Sequence, residues 1–180
     1  MNAFEELIGD LLQSNGYWVM QGYRIELTKE EKRRIGRPSQ PSWEIDLLAY
    51  KPGDGELLIV ECKSYLDSTG VSVELFAETD QPTKSRYKLF NERILRGVLF
   101  ERLCNQLKQC GYIADTPKII LCLVGGRFKN EEDKGRLAAY FADKGWRLYD
   151  KEWIERELQR ISTSVYTDRV SSMIAKLLLR

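Results

Sequence analysis

Two short apolar runs joined by a turn-forming pentapeptide constrain this chain more than any other feature. Ser42 to Tyr50 reads SWEIDLLAY, Glu56 to Tyr65 reads ELLIVECKSY, and Lys-Pro-Gly-Asp-Gly lies between them. Pro and Gly at that spacing reverse the chain, so the two runs are expected to pair as an antiparallel hairpin. Whether Tyr50 meets Leu57 or Lys51 meets Glu56, the register is the same, and Asp46 falls opposite Glu61. Side chains alternate along a strand. That predicts Asp46, Leu48 and Tyr50 on one face with Leu57, Ile59, Glu61 and Lys63, and Ile45, Leu47, Ala49, Leu58, Val60 and Cys62 on the other. Both faces are apolar over most of their length, which argues a sheet covered on both sides with its charges gathered at one end.

Carboxylates about 5 Å apart across a strand pair repel each other unless something positive lies between them. A hard divalent cation suits that position, because Mg²⁺ takes one or two protein carboxylates together with water and substrate phosphate. Lys63 points to the same side and is placed to hold a phosphate oxygen or the attacking water. Together these groups are the equipment of metal-assisted phosphodiester hydrolysis. A plainer reading stands beside it: Glu44 falls opposite Lys63, so the residues also fit a charged ladder at a solvated sheet end. The registered triad at the end of an apolar face favours the chemical reading.

Asp46, fourteen intervening residues and then Glu61-Cys62-Lys63 resembles the PD-(D/E)xK signature of restriction-endonuclease-like nucleases. The opening FEELIGDLLQSNGYWV, Phe4 to Val19, is similar to the first helix of Mrr-type restriction enzymes and archaeal Holliday-junction resolvases. The resemblance covers Phe4 to Lys63, and the later elements by order and type. It implies a three-layer α/β/α core with a central mixed sheet, metal binding by Asp46, Glu61 and the Cys62 backbone carbonyl, and a Lys63 that assists the nucleophile. The proline of the family's name is Ile45 here, at a position that varies widely in the family.

Composition narrows the chemistry further. The chain has 180 residues and a formal net charge of +1, a length that fits one domain with a sizeable core. It contains no histidine, which excludes HNH-type nucleases, imidazole zinc sites and Ser-His-Asp hydrolases. Cys62, Cys104, Cys110 and Cys122 lack CxxC spacing and read as reduced core residues. No apolar run approaches the ~20 residues of a membrane span, and no signal-peptide pattern opens the chain, so a cytoplasmic protein is expected.

The pattern along the chain predicts a helix from Asn2 to Ser14, a strand from Tyr17 to Leu27, a charged connector from Lys29 to Pro41 and then the hairpin. An insertion follows at about 66–86, then a long helix from Tyr87 to Cys110. A strand from Lys118 to Val124, a helix from Glu131 to Lys144, a strand from Trp146 to Tyr149 and C-terminal helices from Glu152 complete the order. One nuclease-like domain over 1–180 is expected, with its core in about 1–150 and the C-terminal helices in about 152–180.

Helical geometry adds two candidates. Phe4, Leu7, Ile8, Leu11 and Leu12 form one stripe, with Glu5 about 90° from its centre and Glu6 about 170°, so Glu5 is the better placed to reach the site. The resemblance agrees, since the acid after the first helix's aromatic often joins the metal site; an N-terminal acid set against the helix dipole is the simpler alternative. Gln106 falls in the apolar sector of Leu95, Leu99, Leu103 and Cys110, where a buried amide needs partners. The RecB-like branch carries Gln-x-x-x-Tyr on this helix; Cys110 stands here at the Tyr position.

Charge is unevenly distributed. Residues 29–37 carry a net +3 and residues 84–108 a net +5, on either side of the hairpin. Lys32, Arg33, Arg34, Arg37, Lys84, Arg86 and Lys88 are therefore the candidates for neutralising nucleic-acid phosphates, against the plainer reading of a solvated loop and helix face. Gly36-Arg37-Pro38 resembles the core of an AT-hook. Taken together, the sequence predicts a Mg²⁺- or Mn²⁺-dependent nuclease acting on DNA. Asp46 and Glu61 hold the metal in that reading, Lys63 acts on water or developing charge, and Glu5 and Gln106 participate from outside. An endonuclease is preferred because no threading or motor segment is present. A non-catalytic nucleic-acid-binding or assembly subunit, or an RNA substrate, remain the alternatives, and a homodimer is compatible with the chain.

Overall fold

The turn between the two apolar runs closes in the expected register. In the structure, a computed structural model that describes residues 2–165 and 167–179, β2 (Trp43–Lys51) pairs antiparallel with β3 (Glu56–Lys63), Tyr50 with Leu57 and Lys51 with Glu56. Gly55, at φ +59°, makes the reversal that a side chain would oppose. β1 (Trp18–Ile25) adds antiparallel to β2. β4 (Lys118–Gly125) and β5 (Arg147–Tyr149) add parallel on the other side, giving a five-stranded mixed sheet in chain order. Parallel neighbours need crossovers, and helices α4 (Arg93–Gln109) and α5 (Glu131–Asp143) supply them.

Both faces are covered, as near-continuous apolar strands require. Leu95, Leu99 and Leu103 of α4 and Leu137 and Phe141 of α5 pack with Leu48, Leu57 and Ile59 on one face. On the other, Ile8 and Leu11 of α1 (Ala3–Ser14) and Ile154 and Ile161 of α6 (Lys151–Thr163) pack with Leu47, Leu58 and Val60. The architecture is a three-layer α/β/α core. Among the described residues no helix is long and apolar enough to cross a membrane.

Four features depart from the sequence reading. Ile45 packs with Leu48 and Leu57 instead of with Leu47, so the alternation of β2 shifts by one at Asp46. β1 shifts at the same level: Val19 lies on the α1 side, whereas Met20, Tyr23 and Ile25 all lie on the α4 side. The β1–β2 ladder runs from Trp18–Tyr50 to Ile25–Trp43 and skips only Gly22 and Asp46, where Gly22 takes φ +60°. A glycine that turns half out of the strand in β1 thus stands against the aspartate that interrupts β2.

The long helix expected from Tyr87 is broken. A short α3 (Lys88–Asn91) stops at Glu92, whose backbone is extended, and α4 begins at Arg93. The break comes from the insertion, which bridges the helix: Thr79 N–H donates to Asn91 O (2.7 Å) and Arg93 N–H to Thr79 O (3.0 Å). The insertion also contributes Val71 and Phe76 to the core. The charged connector contains a helix, α2 (Lys29–Arg34), started by a capping box in which Thr28 and Glu31 bond each other's backbone. Cys110 is exposed, while the other three thiols are buried.

Candidate active site

Asp46 owes its place to the interruption in β2. Regular pairing with β3 ends at Leu47–Val60, one step before Asp46 would meet Glu61, and the Asp46 carboxylate takes over the next rung: Cys62 N–H donates to Asp46 Oδ2 at 2.8 Å. Glu61 and Lys63 are fixed from the other side by β4, through the pairs Glu61–Leu123 and Lys63–Gly125. The turn after β4 clamps the backbone that follows. Gly126 N–H donates to Lys63 O (2.9 Å), and a Cβ at Gly126 would collide with the Ser64 carbonyl oxygen.

The Lys63 ammonium lies among three oxygens. It hydrogen-bonds Glu61 Oε1, approaches the Cys62 carbonyl oxygen at 3.2 Å and stands 4.0 Å from Asp46 Oδ2. Asp46, Glu61 and Lys63 are each about a quarter exposed, at 23–24 %, so they are open to ligand yet desolvated enough for charge to matter. Burial raises the pKa of Glu61 and the charges of Asp46 and Glu5 add to it, against the lowering effect of Lys63. Burial works against the Lys63 charge, but Glu61 and Asp46 outweigh it and hold the amine above its ordinary value. The Cys62 thiol is pushed up by burial and by Asp46, so it stays protonated and unreactive.

Glu5 sits in the first turn of α1, where its carboxylate accepts from Asn2 N–H (3.3 Å) and from the Asn2 side-chain amide, while Asn2 Oδ1 accepts from Glu5 N–H (3.0 Å). It is a capping residue that also lies close enough to raise Glu61. The structure does not bring Gln106 to this group. Its Oε1 accepts from Glu26 N–H (2.8 Å) and its Nε2 donates to Arg24 O (3.3 Å), so the amide ties α4 to the end of β1. Among the described residues, no cluster of three or more Asp, Glu, Cys or His side chains is arranged to hold a metal ion. The oxygens at hand are the Asp46 and Glu61 carboxylates and the Cys62 carbonyl, a set of hard donors that fits Mg²⁺ or Mn²⁺ in kind.

Tyr65 is a neighbour that the sequence reading missed. It is the one non-glycine with positive φ among the described residues, at +47°, a conformation that costs an ordinary side chain roughly 1–2 kcal/mol. Tyr87 donates to its hydroxyl at 3.4 Å. Burial disfavours the Tyr65 phenolate, but Tyr87, Arg86 and Lys63 outweigh it and bring the pKa below the usual tyrosine value. Glycine or asparagine is the usual mark of such a turn, and neither occurs here to give a signal.

The basic candidates divide. Arg37 is taken up in a bidentate ion pair with buried Glu92 (2.7 Å each) and lies 5.9 Å from the Trp43 ring. It is a structural cation and not a free arm of the AT-hook kind. Lys88 flanks the same ring at 6.0 Å. Arg33, Arg34, Lys84 and Arg86 are exposed and Lys32 half-buried. No protein-family model, curated protein or solved structure matches this chain.

Proposed function

We propose that this chain is a metal-dependent nuclease, an endonuclease that hydrolyses DNA phosphodiester bonds at Asp46, Glu61 and Lys63. One observation carries the reading. The Lys63 ammonium stands where the Asp46 and Glu61 carboxylates and the Cys62 carbonyl converge, so a cation already occupies the focus of the hard donors that Mg²⁺ or Mn²⁺ would use. Such an ion, when bound, supplies Lewis-acid stabilisation and a more acidic water.

The chain's own groups then have separate tasks. Asp46 and Glu61 hold the ion, with Asp46 oriented by the Cys62 N–H. Lys63, whose pKa is raised, keeps its proton, so it neutralises charge developing on phosphate and does not act as a base. Arg33, Arg34, Lys84 and Arg86 meet flanking phosphates. The closed Lys63–Glu61 pair also favours a second reading, a nucleic-acid-binding subunit that keeps the fold without catalysis.

Incubating supercoiled plasmid with Mg²⁺, Mn²⁺ or EDTA separates the two. Metal-dependent nicking is expected, and Lys63→Ala should lower its rate by about 10²- to 10⁴-fold with the fold intact. Near-normal cleavage by Lys63→Ala would defeat the assignment of roles. DNA binding without cleavage in either metal would establish the second reading, and preferential cleavage of RNA would move the substrate class.

A further inference from the structure

The C-terminal helix α7 (Val170–Leu179) is packed inside out. Val170, Met173, Ile174, Leu177 and Leu178 recur at the spacing of one helix face, and all are exposed, from 43 % for Ile174 to 76 % for Leu178. The buried side chains of α7 are Ser171, Ser172 and Ala175. Polar bonds hold this orientation: Ser171 Oγ donates to Asp10 Oδ2 of α1 (2.7 Å), and Lys176 Nζ donates to Ser162 O of α6 (3.1 Å). Rotating the helix to bury its leucines would break both.

A contiguous apolar stripe kept outward against the hydrophobic effect marks a docking surface. Three features fit a second copy of this chain as its occupant. The first is charge: Lys176 is the one charged residue within α7, and its amine is turned back onto α6. The stripe itself carries no charge that a two-fold contact would set against its own kind. The second is shape. Between α1, α6 and α7 lies a groove of about 260 Å³ lined by Leu7, Leu158, Val170 and Ile174 together with Glu6 and Asp10. It lies toward the N-terminal end of α7, so in an antiparallel α7 pair it faces the partner's C-terminal leucines. The third is area. Side chains of this kind lose on the order of 100 Å² of apolar surface on full burial. At the exposures found, the five residues of the stripe leave roughly 300 Å² per copy. Two copies give about 600 Å² of apolar surface, which at the ~65 % apolar share of homodimer contacts corresponds to about 900 Å² in total, the size of a small, readily dissociating interface.

We propose that the chain forms a two-fold homodimer in which antiparallel α7 helices bury each other's stripe and place Leu177 and Leu178 in the partner's α1–α7 groove. The assignment is independent of catalysis. Light scattering of concentrated samples should give the mass of two chains for the wild type and of one chain for Met173→Glu/Leu177→Glu, whose circular dichroism should match the wild type because both positions face outward within one chain. A wild type that stays monomeric at high micromolar concentration, or a double variant that stays dimeric, overturns it. Should the double variant fail to fold, Ile174→Cys in a Cys110→Ser background gives a second readout. Position 174 lies near the two-fold axis and should cross-link to itself on mild oxidation, whereas Ser39→Cys in the same background should not. Equal cross-linking at both positions, or none at 174, overturns the interface.

Discussion

The two ends of β3 hold carboxylates in opposite circumstances, Glu56 buried and Glu61 about a quarter exposed. At its start, Glu56 is matched: Arg147 donates two hydrogen bonds to it (2.6 and 2.5 Å) and the Tyr17 hydroxyl a third (2.6 Å). Although burial disfavours the Arg147 charge, Glu56 holds that guanidinium well above its usual pKa, and burial together with Glu56 raises the Tyr17 phenol. Five residues on, Glu61 shares its neighbourhood with Asp46 and Glu5, and among the described residues Lys63 is the ammonium that meets Glu61 and Asp46. A strand stiff enough to present both groups has one end closed by its own partners and the other, among the described residues, with more carboxylates than cations. Such a deficit is what a cation or a substrate's counter-charge can fill.

The largest expected effect breaks the closed end. Arg147→Met leaves Glu56 buried without its partner and should destabilise the fold by about 3 kcal/mol, the low end for such a pair because Arg147 is 34 % exposed. Denaturant titration reads this directly, and a loss under ~1 kcal/mol would mean that the two ends do not differ as described. The response to Mg²⁺ should be unchanged.

At the open end Asp46→Asn should behave in the reverse way. The amide oxygen still accepts from Cys62 N–H and the like-charge repulsion falls, so the metal-free variant should be neutral or slightly more stable, against the usual loss of ~1 kcal/mol. Mg²⁺ at ten times its dissociation constant should stabilise the wild type by roughly 1.4 kcal/mol and the variant by much less. Melts in EDTA and in Mg²⁺ check both parts. A destabilised variant that keeps the full metal response would make Asp46 a structural residue.

A smaller effect is the pH dependence of the open end. The Glu61 pKa is raised in the fold, so its protonation stabilises the metal-free protein. That contribution is fully present below the ordinary value of 4.5 and is lost as pH rises through the raised one. The stability of wild type relative to Glu61→Gln, measured in EDTA, should therefore fall with rising pH across that window. A flat difference would show that Glu61 is not under strain from its neighbours. The smallest change is in DNA affinity: Arg33→Ala/Arg34→Ala should lower the salt dependence of binding by up to about 2 in slope, and an unchanged slope would turn α2 away from the substrate.

The open end was legible in the sequence because its parts are local. Asp46, Glu61 and Lys63 lie on two strands joined by one short turn whose chemistry sets the hairpin register, but the expected Asp46–Glu61 pair is not formed, since regular pairing ends at Leu47–Val60 and the alternation of β2 shifts at Asp46. The closed end was not, since Tyr17, Glu56 and Arg147 come together across separations of 39 and 91 residues with no shared pattern. The broken helix at Glu92 was hidden for the same reason, being imposed by Thr79 and Arg37 from outside the helix. The helix in the connector was readable, since Thr28 and Glu31 stand at capping-box spacing. Gln106 was placed in the right layer, but helical angle alone cannot say that β1's backbone claims its amide.

The coincidence of Gly22 and Asp46 has a bearing on how the chain finds its sheet. An ordinary antiparallel pair can slide by two residues and keep its apolar side inward. β1 and β2 cannot, because each changes phase at one point and the two points coincide. Any slid pairing sets a half-turned residue against regular strand and exposes Tyr23 and Ile25 or Ile45 on the wrong side. The irregularity therefore works as a key cut into both strands: the residue that carries the candidate chemistry also admits a single alignment of the edge strand during folding.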